Sequence, residues 1–195
     1  MNILKSLAIV SLSASLLIAA NPNKKNAELK SVVKMGQKGS KMLLKTLGGN
    51  MKKKMKEGGP LKALDFCSNE AYNLTEKVNK RLPRGVRVKR ISLKFRNPAN
   101  APEADEAKIL KALESLQKNN VILPNHIVEK VDNKVYKFYK PLVINKKVCL
   151  KCHGDIKDTD IKRAIADRYP IDKAKHYKMG DLRGAVVVTI DKSVK

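Results

Sequence analysis

Cys149-Leu150-Lys151-Cys152-His153 constrains this chain more than any other stretch. Two thiols separated by two residues can each add across one vinyl group of a haem, and a histidine directly after them places an imidazole nitrogen over the iron. Two other chemistries use the same residue types. A Cys-x-x-Cys pair can be a redox dithiol, and Cys67, Cys149, Cys152 and His153 together could supply four zinc ligands. The dithiol reading lacks an evident βαβ setting, and zinc sites more often join two well-separated ligand couples. The motif therefore predicts one covalently attached haem c, carried by Cys149 and Cys152, with His153 on the iron.

The N-terminus agrees with that chemistry. Lys5 gives a positive start and residues 7–20 are apolar and rich in small side chains, so residues 1–20 read as a secretory signal peptide ending at Ala19-Ala20. Ile18-Ala19-Ala20 is an imperfect cleavage site, which leaves an uncleaved anchor as the alternative. Covalent haem attachment takes place outside the bacterial cytoplasm, so the expected location is the periplasm. Charge then narrows the partners: 42 basic against 18 acidic residues give a net charge of +24. Such a balance suits an acidic redox or signalling protein, or an anionic membrane surface. Nucleic acid is excluded by export and by the lack of stacking platforms, since the chain has no Trp and 4% aromatic residues. The plainer alternative is a set of solvated lysine faces.

Periodicity divides the rest into an extension over residues 21–59 and a domain over residues 60–192. Apolar residues from Ala27 to Leu47, with lysines opposite, predict a helix that Gly36 and Gly39 weaken and Gly48-Gly49 ends. Pro60 to Arg81 reads as a second helix, with Leu61, Leu64, Cys67, Ala71, Leu74 and Val78 on one stripe. By that pattern alone Cys67 is a small core residue. A strand follows from Val86 to Phe95 with a change of phase near Arg90, then a helix from Glu103 to Lys118. Two strands, 127–131 and 135–144, flank an Asp132-Asn133 turn, with Pro141 marking an edge or a strand end. A helix over residues 158–169 and a β-branched strand over residues 184–190 complete the chain. The order predicts an α+β fold, an antiparallel sheet with helices on one side.

Several segments taken together resemble a known family. They are Ala63-Leu64-Asp65-Phe66-Cys67, the run from Arg90 to Pro102, the haem motif, Tyr169-Pro170-x-Asp172-x-Ala174, and Gly180-Asp181-Leu182-Arg183-Gly184-Ala185. The set is similar to the PAS-like c-type haem domain of unknown function, found in exported bacterial proteins and in the sensory parts of signalling proteins. The resemblance covers residues 25–192 and implies a PAS-like antiparallel sheet with N-terminal helices packed around a covalent haem. It also implies His153 and Cys67 as the two iron ligands. One position departs: His176 stands before Tyr177, where the family usually shows glycine.

Read from the residues alone, the sixth ligand stays open among Cys67, Met179, His126 and His176. Arg90 and Arg96 are candidate partners of the haem propionates, as is Arg183, against the alternative of surface charge or a loop clamp. Two functions remain: a redox or gas-sensing module, or a periplasmic electron-transfer cytochrome. No enzyme is expected, because no catalytic constellation is recognisable and a Cys67 ligand would close the iron to a peroxidase mechanism.

Overall fold

The structure is a computed structural model and describes residues 22–194, so the expected signal peptide lies outside the described residues. Helix α1 spans Pro22–Asn69 and α2 Ala71–Asn79; strand β1 is Val86–Ile91, helix α3 Ala104–Lys118, β2 Ile127–Lys130 and β3 Val135–Val143. The one-turn α4 is Leu150–His153, α5 is Thr159–Arg168 and β4 is Leu182–Asp191. The strands form one antiparallel sheet in the order β1-β4-β3-β2. The α+β class and its N-terminal helices are as expected.

Central β4 explains why helices cover both faces instead of one. Val186, Val187 and Val188 are all fully buried, so successive side chains pointing to opposite faces both meet protein. Val186, Val188 and Ile190 pack with Val32, Leu43 and Leu47 of α1, whereas Ala185 and Val187 pack with Tyr139 and Leu110 of α3. The residues expected as an extension thus contribute to the same core as the sheet.

Gly36 and Gly39 account for how close α1 comes. A Cβ on Gly36 would lie 2.1 Å from the ring of Phe138, and one on Gly39 would lie 3.2 Å from Val188. These glycines let the helix backbone rest on the sheet; they do not end or fray it. The helix also runs through Gly48-Gly49, against expectation, and bends only at Gly58-Gly59, where Gly59 takes φ 67°. Pro60 then restarts it, as a proline at a helix start can. The second expected helix is divided at Glu70, which lies between α1 and α2.

The remaining differences are local. β1 stops at Ile91, because the backbone N–H of Ser92 turns to the carbonyl of Asn100. Pro141 sits in an inner strand, but β2 pairs only with residues 136–139, so the proline lies where β3 has no outer neighbour. Asp132 Oδ1 accepts from the N–H groups of Lys134 and Val135 and closes the β2–β3 turn. Asp158 caps α5 by accepting from the N–H groups of Asp160 and Ile161.

Candidate functional site

Cys149 ends a short 3-10 turn and Leu150–His153 form one helical turn, closed by the Gly154 N–H on the Leu150 carbonyl. This compact backbone presents two half-buried, free thiols. His153 Nδ1 lies 3.2 Å from the carbonyl oxygen of Ala174. A carbonyl can only accept, so Nδ1 carries the hydrogen and Nε2 keeps its lone pair. Burial, and then the positive fields of Arg183 and Arg96, hold the ring well below its usual pKa, so it is neutral. A neutral, oriented imidazole with Nε2 open is what an iron ligand requires.

Cys67 joins this group from α1. Burial pushes its thiol pKa up, opposed by Arg90 and Arg96, and its charge in turn acts on Cys152, Arg90 and Tyr169. The end of α1, strand β1 and the haem motif therefore share one electrostatic environment. Among the described residues no three His, Cys, Asp or Glu side chains assemble as a metal site, so Cys67, Cys149, Cys152 and His153 do not form the zinc cluster weighed above.

The two candidate arginines separate cleanly. Arg96 is buried and forks onto Asp172 at 3.1 Å through Nε and Nη2, and Nη2 also donates to the carbonyls of Cys152 at 2.6 Å and Ala174 at 3.1 Å. It ties the haem motif to the 172–174 loop that holds His153, which is the geometry of a clamp. Arg90 Nε is buried and, among the described residues, has no hydrogen-bond partner. A buried guanidinium nitrogen without a partner is costly, and a propionate carboxylate is the acceptor that would satisfy it. Arg183 is committed within the chain, donating to Ser92 Oγ and to the Lys94 carbonyl and lying 5.3 Å from the Tyr177 ring.

The other expected ligands lie elsewhere. His126 stacks on Phe138 at 5.1 Å, under α1. Met179 is 47% exposed. His176 pairs with Asp155 in solvent, and its backbone takes φ 62°, the left-handed region in which glycine costs least. Sequence reasoning missed the roles of Asp172 and Ala174 as the acceptors that organise the site. Their only signal was a place in the motif following Tyr169.

The model of the Tll0287-like family matches residues 17–191, which is most of the chain. The chain belongs to the Tll0287-like family. A similar solved structure is that of the cyanobacterial heme-protein Tll0287, at 21% identity and a TM-score of 0.55, over 90% of this chain and 99% of that one. At that identity the likeness is one of fold. No curated protein matches. Within this Tll0287-like fold, the described residues include no helix long and apolar enough to cross a membrane.

Proposed function

We propose that this chain is an exported monohaem c-type cytochrome of the periplasm, with haem c attached at Cys149 and Cys152 and its iron ligated by His153 and Cys67. It works as a redox- or gas-responsive module, and not as an enzyme. The observation that carries this reading is His153: a neutral imidazole, fixed through Nδ1 by Ala174, beside two free thiols at haem-attachment spacing. Likeness in fold to a protein described as a heme-protein supports it, and so does the unpartnered Nε of Arg90.

Haem bound there supplies one-electron chemistry between ferric and ferrous iron, with a potential that a thiolate ligand lowers. The chain's part is to hold and orient the ligands. Ala174 and the Arg96 clamp fix His153, while Cys67 rides on the last turns of α1, beyond the Gly58-Gly59 bend. That bend separates residues 60–69 from the long stretch of α1 lying on the sheet. A change in the demand on Cys67 is thereby passed to a short helical segment and to α2, which suits a sensor better than a rigid carrier.

The test is the ferric and ferrous absorption and electron spin resonance of the protein, produced with periplasmic haem maturation, beside Cys67→Ala. Low-spin thiolate features present in the wild type and lost in the variant are expected. Spectra unchanged by the substitution would move the sixth ligand to Met179 or a histidine and make electron transfer the better reading. A protein matured without haem would overturn the proposal.

A further inference from the structure

Helix α1 carries nine lysines between Lys30 and Lys56 and neither an acid nor an arginine in that interval. Seven of them, at 30, 34, 38, 41, 45, 52 and 56, recur at threes, fours and sevens. At 100° per residue they fall within about 80° of arc and extend about 39 Å along the axis. All seven are exposed. The opposite side, with Val32, Gly36, Gly39, Leu43 and Leu47, is buried against the sheet, so the array is held rigid and faces outward.

No acid among the described residues supplies the counter-charge. Among the described residues none of the seven lysine side chains has a hydrogen bond or an ion pair, and the flanking acids are otherwise engaged. Glu28 binds Lys192 at 2.6 Å and Tyr136 at 3.0 Å, and Glu57 lies 3.8 Å from Lys53 and from Lys54. Like charges three and four residues apart oppose the helix that bears them, so the stripe is a feature whose favourable energy must come from outside the molecule.

We propose that the lysine stripe of α1 docks the protein on an anionic lipid surface, with the helix axis lying in the membrane plane. Three observations favour lipid over an acidic protein. The array lies on an unkinked stretch of α1, whose only non-helical backbone is at Gly58 and Gly59, so it matches a flat field of charge. It consists of lysines alone, which act as point charges on diffuse phosphates, where specific carboxylate pairing would favour arginine forks. It also contains no aromatic side chain to anchor a protein interface. The apolar side of α1 faces the sheet, so the contact is peripheral and electrostatic. This inference does not depend on the haem reading.

The test is co-sedimentation of the full chain with phosphatidylcholine vesicles, with and without phosphatidylglycerol. Comparison is with Lys34→Glu/Lys41→Glu/Lys45→Glu/Lys52→Glu and with a control, Lys108→Glu/Lys111→Glu/Lys118→Glu/Lys146→Glu, that changes net charge equally off the stripe. All variants keep residues 1–20, so binding through that apolar segment is common to them and needs no anionic lipid. Circular dichroism checks that each variant is folded. The wild type and the control should prefer anionic vesicles and lose that preference in high salt. At about fivefold per lysine, the stripe variant should lose at least about a hundredfold. A stripe variant that keeps the wild type's binding to anionic vesicles, or equal loss in the control, would overturn the proposal. Stripe-dependent binding to polyglutamate with no preference for anionic vesicles would overturn it in favour of an acidic protein.

Discussion

Where α1 crosses the sheet, the interface is dry and close: Gly36 lies against Phe138, Gly39 against Val188, and Val32 and Leu43 are fully buried. Across residues 144–180 the chain is organised differently. Its apolar clusters are small, one built on Ile144, Ala174 and Tyr177 and another on Leu64, Ile161, Ile165 and Tyr169. Its order comes from polar clamps: Arg96 on Asp172 and two carbonyls, His153 on Ala174, and the Tyr177 N–H on the His153 carbonyl. The first region is specified by packing, which a sequence pattern reveals. The second is held in place with few buried apolar side chains, and in β1, among the described residues, the buried Nε of Arg90 has no hydrogen-bond partner. A cofactor contributing apolar surface and carboxylates would complete it.

The largest effect is expected from breaking the polar side of this contrast. Arg96→Met leaves the Asp172 carboxylate, whose side chain is 1% exposed, buried without a counter-charge. Urea denaturation should show a loss of about 3–5 kcal/mol, and Arg96→Met/Asp172→Asn should regain part of it. A loss below about 1 kcal/mol would mean the pair behaves as a surface ion pair and the contrast fails.

On the packed side, Gly36→Val drives a side chain into the Phe138 ring and should cost about 3 kcal/mol. Gly48→Ala, in the same helix with nothing within 4 Å, should cost nothing and is the matched control in the same urea experiment. Cys149→Ala/Cys152→Ala should lower folded yield and thermal stability. Its effect on hydrogen exchange should be uneven: protection across residues 144–180 falls about tenfold, roughly 1.4 kcal/mol, while amides in β3 and β4 keep theirs. Uniform loss would show that the two regions fold as one unit.

The smallest effect concerns acid. Lys137 donates to Asp105 at 2.6 Å and to Glu103 at 3.2 Å, tying α3 to the sheet, and these bonds, with Lys89 on Glu103, hold both carboxyls below their ordinary values of 3.8 and 4.5. A depressed carboxyl contributes stability that is fully present above its unfolded value and lost as pH falls through its folded one. Thermal stability should therefore decline below about pH 4.5, and Asp105→Asn should flatten that decline while costing under about 1 kcal/mol at neutral pH.

The Cys-x-x-Cys-His motif was legible because it is defined by residue identity and spacing over five positions. The helices and strands were legible because α3, α5 and β4 carry local periodicity, caps and β-branched runs. Gly36 and Gly39 were misread for one reason: whether a glycine weakens a helix or admits a neighbour depends on what lies beside it. The same holds for the arginines. Nothing local distinguishes Arg90 from Arg96, and only the chain's return through Asp172 and Ala174 makes one a clamp, while among the described residues the Nε of the other has no hydrogen-bond partner.

By itself, then, the sequence determined the Cys-x-x-Cys-His spacing, the α+β class and the lysine spacing of α1, all of which follow from residues near one another along the chain. Tertiary structure decided the strand order, the covering of both sheet faces, the tautomer of His153 and the electrostatic environment that Cys67 shares with Cys152. Those depend on contacts between residues tens of positions apart, whose partners no local pattern names.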